Sequence, residues 1–167
     1  AGLEAMAKTF VDEEKGVATL EEALQGAGDI IAEDFSDDAA RRKVLRENIN
    51  RKGDLRCAAN TEEDTVYSTY YDFQSPLRRL QGHQILAMDR GEREGALKVS
   101  VLPGDFGPVG MILQGVALGH PFFSRLQDIA QDAWDRLIFP SLEREVRKAL
   151  TEQAAEIQKR FQEKDKA

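Results

Sequence analysis

The sequence predicts a mainly α-helical fold, a multihelical bundle with one short β-strand or hairpin near residues 97–102. Apolar residues recur at helical spacing along most of the chain, which is typical of amphipathic helices around a shared core. Residues 97–101 instead alternate apolar and polar side chains, which is the pattern of a half-buried strand. The 167 residues are 41% hydrophobic and 32% charged, a balance that favours a globular chain with a real core.

We expect residues 1–167 to form a single helical module. The chain begins without an initiator methionine and in the middle of a pattern, so we interpret it as a fragment of a larger multidomain protein. Residues 162–167 are mostly charged and are expected to form a frayed tail.

The first two helices are predicted from the signals at their ends. Thr19 and Glu22 have the spacing of a capping box, in which each side chain accepts a hydrogen bond from a free backbone amide. Ser36 is the predicted cap of a second helix that ends at Gly53. Residues 34–36 would then form the turn of an αα-hairpin.

Residues 82–101 organise the rest of the chain. They predict a short helix, a stop at Gly95 and a strand from Leu97 to Val101. Gly95 suits the left-handed conformation that often ends a helix, because it has no Cβ to clash with the backbone. This is the only segment with a clear strand pattern.

Two segments are less clear from pattern alone. Val66, Tyr67, Tyr70 and Phe73 share one face if they are helical. Such rings can stack on nucleic-acid bases, but this spacing favours a place in the core. Residues 109–118 are apolar enough for either a short buried helix or a second strand.

The C-terminal part predicts two helices. Ser124 and Gln127 have the spacing of another capping box, and Pro140 should interrupt the helix that follows. Trp134 lies close to the apolar face of that helix and is expected in the core. A long helix should then start at Ser141.

Charge is distributed unevenly along the chain. The net charge is −7, which argues against a dedicated nucleic-acid module. Residues 4–38 contain eleven acidic and two basic residues, whereas residues 41–56 contain seven basic and two acidic ones. This abrupt reversal indicates either a solvated basic face or a surface that meets phosphate groups.

The basic residues supply the candidate binding site. Arginine and lysine contact phosphate, and arginine can do so with two hydrogen bonds at once. The alternative for the residues near the central strand is an internal set of ion pairs with Asp89, Glu92 and Glu94. The candidate nucleic-acid-binding residues are Arg41, Arg42, Lys43, Arg46, Arg51, Lys52, Arg90, Arg93 and Lys98.

Residues that carry chemistry are few. His83 and His120 are the only histidines, and neither lies at metal-ligand spacing from Cys57. The sequence therefore predicts no catalytic residue, no metal site and no cofactor. The excess of Asp and Glu leaves a hydrolase with paired carboxylates as an open alternative. A single cysteine favours a reducing, cytoplasmic location, and no apolar run approaches the roughly 20 residues that cross a bilayer.

Several segments, in order along the chain, resemble the bacterial transcription accessory protein (Tex) family. Residues 82–101 are similar to its His-Arg-x-Leu-Ala-x-x-Arg-Gly-Glu-x-Glu-Gly-x-Leu-x-Val segment. Residues 10–17 resemble its Phe-Val-Asp-x-Glu-Lys-Gly-Val run, and residues 23–33 resemble its Ala-Leu-x-Gly-Ala-Arg-Asp-Ile-Ile-Ala-Glu run. Residues 140–147 are similar to Pro-Ser-Leu-Glu-Arg-Glu-Leu-Arg, and residues 70–77 match less closely.

The resemblance implies the central helical part of a multidomain protein that binds RNA or DNA in support of transcription. The family's full chain adds a RuvC-like fold, a helix-hairpin-helix part and an S1 domain. Gln84 and Gly28 replace basic residues of the family pattern, which weakens the expectation that this segment itself holds nucleic acid.

Two functions are therefore expected. The first is a non-catalytic helical scaffold that packs against other domains of the same chain and adds a basic surface. The second is a protein-docking module that contacts the transcription or translation machinery through its acidic N-terminal face. Neither involves a membrane.

Overall fold

A computed structural model describes residues 20–166 and confirms a mainly α fold. The helices are α1 (Leu20–Asp37), α2 (Ala39–Lys52), α3 (Gly82–Arg93), α4 (Pro108–Ile112), α5 (Phe123–Ala133) and α6 (Phe139–Lys166). The strands are β1 (Asp54–Ala59), β2 (Asp72–Pro76) and β3 (Leu97–Leu102). Short 3₁₀ turns span Ser68–Tyr70 and Leu77–Arg79, and a π-helical segment spans Trp134–Ile138.

The chain divides into two compact units. Among the described residues, the first unit contains residues 20–43 and 107–140, and the second contains residues 44–106 and 141–166. In the first unit, α1 packs against α5 and the π segment. Its buried side chains include Phe35, Ile112 and Trp134, so the expectation for Trp134 is confirmed. The organisation as a single module stays a prediction.

The second unit is built around a small antiparallel sheet with the order β2-β1-β3. The apolar side chains of β3 alternate with exposed or half-buried ones, as the sequence predicts. Leu97, Val99 and Val101 are buried on the face that carries Leu55 and Cys57 of β1. The helix α3 packs against β3.

The turn between α3 and β3 has the predicted form. Gly95 adopts φ 81°, which is the left-handed conformation that favours glycine. Its amide donates to the Glu92 carbonyl at 3.1 Å, and the Ala96 amide donates to the Gly91 carbonyl at 2.9 Å. These bonds satisfy carbonyls at the end of α3 that have no partner within the helix.

The segment that contains β2 differs from the sequence-based expectation. The helix expected over Val66–Phe73 is wrong: this stretch contains a 3₁₀ turn and the start of β2, and Val66 is 88% exposed. Of the four residues expected in the core, only Tyr67 is buried. Phe73 of β2 pairs with Cys57 of β1. Strand pairing with a distant segment therefore overrides the local helical spacing.

The first helix boundary also differs from expectation. Ser36 lies inside α1, and only Asp38 separates α1 from α2. The Asp38 carboxylate accepts a hydrogen bond from the Arg41 amide at 3.0 Å, so it caps α2 in place of Ser36. The predicted cap at Thr19 lies outside the described residues.

The C-terminal helices differ in two ways. Pro140 does not end a helix but lies in the first turn of α6, directly after the π segment. Because proline has no N–H, it cannot complete the α-helical ladder, and a π segment shifts the bonding pattern just before it. Ser124 lies inside α5, where the Phe122 amide at the helix start donates to His120 Nδ1 at 3.1 Å. The α6 helix continues to Lys166, and the frayed tail stays a prediction.

Candidate nucleic-acid interface

The first two candidate cations on α2, Arg41 and Arg42, make contacts within the first unit. Arg41 donates to the Asp38 carboxylate at 2.8 Å and to the Ile112 carbonyl at 3.0 Å, and its guanidinium lies 5.2 Å from the centre of the Phe35 ring. Arg42 donates to the Ser36 carbonyl at 3.2 Å. Both side chains are half-buried, so they hold the α1–α2 corner together.

Two further basic residues make contacts within the second unit. Arg46 donates to the Glu145 carboxylate of α6 at 3.1 Å. Arg56, on the solvent face of β1, forms an ion pair with Asp72 of β2 at 2.6 Å. These contacts use the guanidinium groups for internal ion pairs, and such half-exposed pairs contribute only about 0.2 to 1 kcal/mol.

The remaining candidates on α2 are exposed. Lys43 and Lys52 project into solvent, and Arg51 donates to the Asn48 side chain at 2.7 Å. No ion pair engages these three cations in the part of the chain that the structure describes. They remain available to an external anion.

Two acidic residues of α3 are bonded to α6. Asp89 and Glu92 accept hydrogen bonds from Arg147 of α6 at 3.3 Å and 2.7 Å, and Asp89 also accepts one from Thr151 at 2.6 Å. Burial lowers the pKa of Arg147, but the bonds and charges of Glu92 and Asp89 outweigh this effect and raise it above its ordinary value. The acids of α3 therefore form internal ion pairs, but their partner is Arg147 of α6 and not a basic residue near the central strand.

The basic residues on and near α3 take no part in that contact. Arg90, Arg93 and Lys98 are exposed, and among residues 20–166 none of them has an ion-pair partner. Tyr67 lies beside this group. Burial, followed by a hydrogen bond and the charge of Glu94, raises its pKa.

The candidates do not form one patch in the second unit. Asp54, which follows α2, pairs with Pro76 and Leu102 at one end of the sheet. Lys98 lies next to Leu97, which pairs with Ala59 at the other end. A strand of this length spans roughly 17 to 20 Å. The structure therefore places Arg51 and Lys52 apart from the group of Arg90, Arg93 and Lys98.

Sequence reasoning missed two basic residues that the structure brings to α2. Arg78 and Arg79 lie on the 3₁₀ turn after β2, and Arg78 Nη1 donates to the Arg51 carbonyl at 2.6 Å. The adjacent pair of arginines was a visible signal. The sequence did not show that this pair lies close to α2, because that proximity depends on the pairing of β1 with β2.

An acidic cleft lies within the first unit, between α1 and α5. Its volume is about 720 Å³, and Leu24 and Ile129 contribute apolar surface to it. Arg136 contacts two of its acids, Asp132 at 3.1 Å and Asp29 at 3.7 Å. The acidic residues that line the cleft are Glu21, Glu22, Asp29, Asp128 and Asp132.

The groups that could carry chemistry are dispersed. Burial, with a smaller contribution from Glu92, raises the pKa of the Cys57 thiol to about 11. His83 lies exposed in the first turn of α3, and His120 lies exposed before α5. Across residues 20–166, no three His, Cys, Asp or Glu side chains are grouped so that they could hold a metal ion. No helix in that range has the length and apolar character needed to cross a bilayer.

Comparison with known proteins identifies relatives over most of the chain. The chain is 38% identical over 160 residues to the uncharacterized protein YdcI of Bacillus subtilis, a match that covers 92% of this chain and 22% of that protein. It is 28% identical over 165 residues to the transcriptional accessory protein Tex of Neisseria gonorrhoeae, covering 91% of this chain and 21% of that protein.

A third relative, the protein tex of Bordetella pertussis, is 33% identical over 100 residues, which cover 58% of this chain and 13% of that protein. The chain thus spans about a fifth of the length of the first two relatives. Residues 2–158 match the family described as Tex central region-like. This chain therefore belongs to the Tex central region family.

Proposed function

We propose that this region is a non-catalytic helical scaffold of a transcription accessory protein, and that it adds exposed cations to nucleic-acid binding by the full-length chain. One observation carries the proposal. Three of the nine candidates, Arg41, Arg42 and Arg46, are half-buried and make internal contacts. The other six are exposed and have no ion pair in the described range, although Arg51 donates to the Asn48 side chain: Lys43, Arg51, Lys52, Arg90, Arg93 and Lys98.

The partner that suits these side chains is the phosphate backbone of RNA or DNA. Phosphate contacts by Lys and Arg release condensed counterions, so binding weakens steeply as salt rises. The net charge of −7 opposes the approach of a polyanion. We therefore expect weak, sequence-independent binding by this region in the bacterial cytoplasm.

A scaffold role among other domains has separate support. A groove of about 380 Å³ lies in the second unit, where the start of α3 meets the C-terminal half of α6. Leu86, Ile157 and Phe161 line it, and Phe161 is 64% exposed. Exposed apolar side chains grouped in this way are typical of surfaces that meet another protein segment.

The absence of catalysis is supported by the state of the reactive groups. A thiol with a pKa near 11 is protonated at neutral pH, so Cys57 is a poor nucleophile. Asp89 and Glu92 hold Arg147 and Thr151 and are not free to act as an acid–base pair. A nuclease assay with Mg²⁺ or Mn²⁺ that shows cleavage would overturn this part.

Binding of labelled RNA and DNA, followed by fluorescence anisotropy between about 25 and 200 mM salt, tests the nucleic-acid part. The triple variant R90E/R93E/K98E should bind more weakly and should lower the slope of log affinity against log salt by about 0.7 to 0.9 for each phosphate that it no longer binds. The control K148E/K159E/K164E changes the net charge equally on α6. Absence of binding by the unmodified chain at the lowest salt would contradict the proposal.

The acidic cleft favours a second candidate function, docking of a basic protein segment. Its lining contains five carboxylates, one cation (Arg125) and apolar surface from Leu24 and Ile129, and Arg136 contacts two of the carboxylates. The remaining acids, Glu21, Glu22 and Asp128, suit a helix with both Lys or Arg and apolar side chains. We expect E21Q/E22Q/D128N to reduce capture of ribosomal or transcription proteins in a pull-down. Unchanged capture would remove this candidate.

A further inference from the structure

Two separate segments of the second unit meet at the C-terminal end of α2. The Leu77 amide donates to the Gly53 carbonyl at 3.0 Å, and Arg78 Nη1 donates to the Arg51 carbonyl at 2.6 Å. These two bonds place residues 77–79, which follow β2, against residues 51–53, which precede β1.

This contact concentrates positive charge. Each segment contributes two exposed cations to what we call the helix-end cluster: Arg51, Lys52, Arg78 and Arg79. Within residues 20–166, no ion pair neutralises any of the four. The acid that follows α2, Asp54, accepts a hydrogen bond from Gln74 at 2.8 Å instead.

A purely structural role accounts for only part of the cluster. The last carbonyls of a helix lack partners within it and carry partial negative charge, so a cation at this end is favourable. Arg78 fills that role through the Arg51 carbonyl. Lys52 and Arg79 make no side-chain hydrogen bond in the described part of the chain. Four like charges repel one another, and an external polyanion would relieve this repulsion.

We propose that the helix-end cluster binds the sugar–phosphate backbone of nucleic acid. The inference rests on the proposed function and adds Arg78 and Arg79 to the basic residues that the sequence singles out. The cluster consists of exposed cations from two segments, and no aromatic ring belongs to it. It therefore contacts phosphates without reading bases. It lies at the end of the sheet opposite to Lys98, so it is a contact separate from Arg90, Arg93 and Lys98.

The test replaces the two members that make no internal bond. K52E/R79E leaves the Arg78–Arg51 contact in place, and K159E/K164E on α6 is a control with the same change in net charge. Anisotropy with a labelled single-stranded RNA and a labelled duplex DNA measures affinity across salt. We expect K52E/R79E to bind roughly 10-fold more weakly at low salt and to lower the salt slope by about 1.4 to 1.8.

Three outcomes separate the two proposals. Weaker binding by K52E/R79E but not by K159E/K164E supports the helix-end cluster. Equal affinity for K52E/R79E and the unmodified chain, with weaker binding by R90E/R93E/K98E, overturns the cluster and leaves the proposed function standing. No binding by the unmodified chain overturns both. Circular dichroism melting of each variant checks the fold, and K52Q/R79Q replaces K52E/R79E if the latter melts early.

Discussion

Cys57 lies in β1 and is fully buried against the inner face of β3. Transfer of a thiolate into such surroundings is unfavourable, which raises the pKa of the thiol from 9.0 to about 11. Arg56 and Arg147 favour the thiolate, but burial is the largest cause and decides the direction. The residue is therefore a small apolar core side chain at neutral pH.

This shift predicts a decline of stability in alkali. The Cys57 thiol binds its proton more tightly in the folded state than in the unfolded state. This difference adds to the free energy of unfolding below pH 9, and the added stability is lost as the pH rises from 9 to about 11. The full contribution is at most about 2 to 3 kcal/mol. Urea denaturation at pH 8 and pH 11 should show a smaller decline for C57A than for the unmodified chain.

The comparison with C57A is needed because Tyr67 also has a raised pKa and changes stability in the same direction. An equal decline in both proteins would contradict the assignment to Cys57. A second measurement is independent of stability: a thiol reagent should react slowly with the folded chain at pH 8 and rapidly in denaturant.

Arg147 makes most of the polar contact between α6 and α3. Arg147 forms two hydrogen bonds with Glu92, at 2.7 Å and 3.0 Å, and one with Asp89. Its side chain and that of Asp89 are 24% and 20% exposed, so the pair is largely removed from water. If Arg147 were removed, the carboxylates of Asp89 and Glu92 would lose the cation that they share.

We expect R147A to lower the free energy of unfolding by about 1 to 3 kcal/mol, because it leaves Asp89 and Glu92 partly buried without a cation. R144A is a matched control, since Arg144 lies on the same helix and is exposed. Denaturant titration at neutral pH measures both. Equal stability of R147A and R144A would show that this ion-pair set does not hold α3 to α6.

Close packing between α3 and β3 depends on a glycine. A Cβ at Gly91 would overlap the Leu97 side chain and would lie 3.1 Å from the Tyr67 ring. Gly26 on α1, by contrast, has nothing within 4 Å of a Cβ. The same substitution should therefore have opposite effects at the two positions.

We expect G91A to destabilise the chain by about 1 to 3 kcal/mol through overpacking, whereas G26A should stabilise it by about 0.5 to 1 kcal/mol through helix propensity. Thermal melting of both variants gives the comparison. A stable G91A would mean that Leu97 can move aside without cost, and the close approach of α3 to β3 would then lack energetic importance.

Across the whole molecule, the sequence predicted what local signals determine. The helix, the Gly95 stop and the strand of residues 82–102 were confirmed because each signal lies within its own segment. The strand β2 was missed because its hydrogen-bond partner, β1, is distant in sequence. At the α1–α2 corner, the predicted cap Ser36 was wrong, because α1 continues to Asp37 and the Asp38 carboxylate accepts the hydrogen bond from the Arg41 amide.

The candidate site was predictable to a similar extent. Composition identified the basic stretch, but it could not show that Arg41, Arg42 and Arg46 make internal contacts while Lys43, Arg51 and Lys52 are exposed. Tertiary contacts make that division. The same contacts bring Arg78 to the end of α2, which no spacing rule predicts.

The edge position of β3 also bears on how the chain behaves at high concentration. Among residues 20–166, this strand lies at the border of the sheet and pairs with β1 on one side only. Such a border offers unpaired backbone groups to strands of other molecules and invites aggregation. The Val101 amide donates a hydrogen bond to the Glu143 carboxylate at 2.7 Å, which places a negative charge at this border. An incoming strand would have to displace that carboxylate, so the contact protects copies of the chain from joining into a continuous sheet.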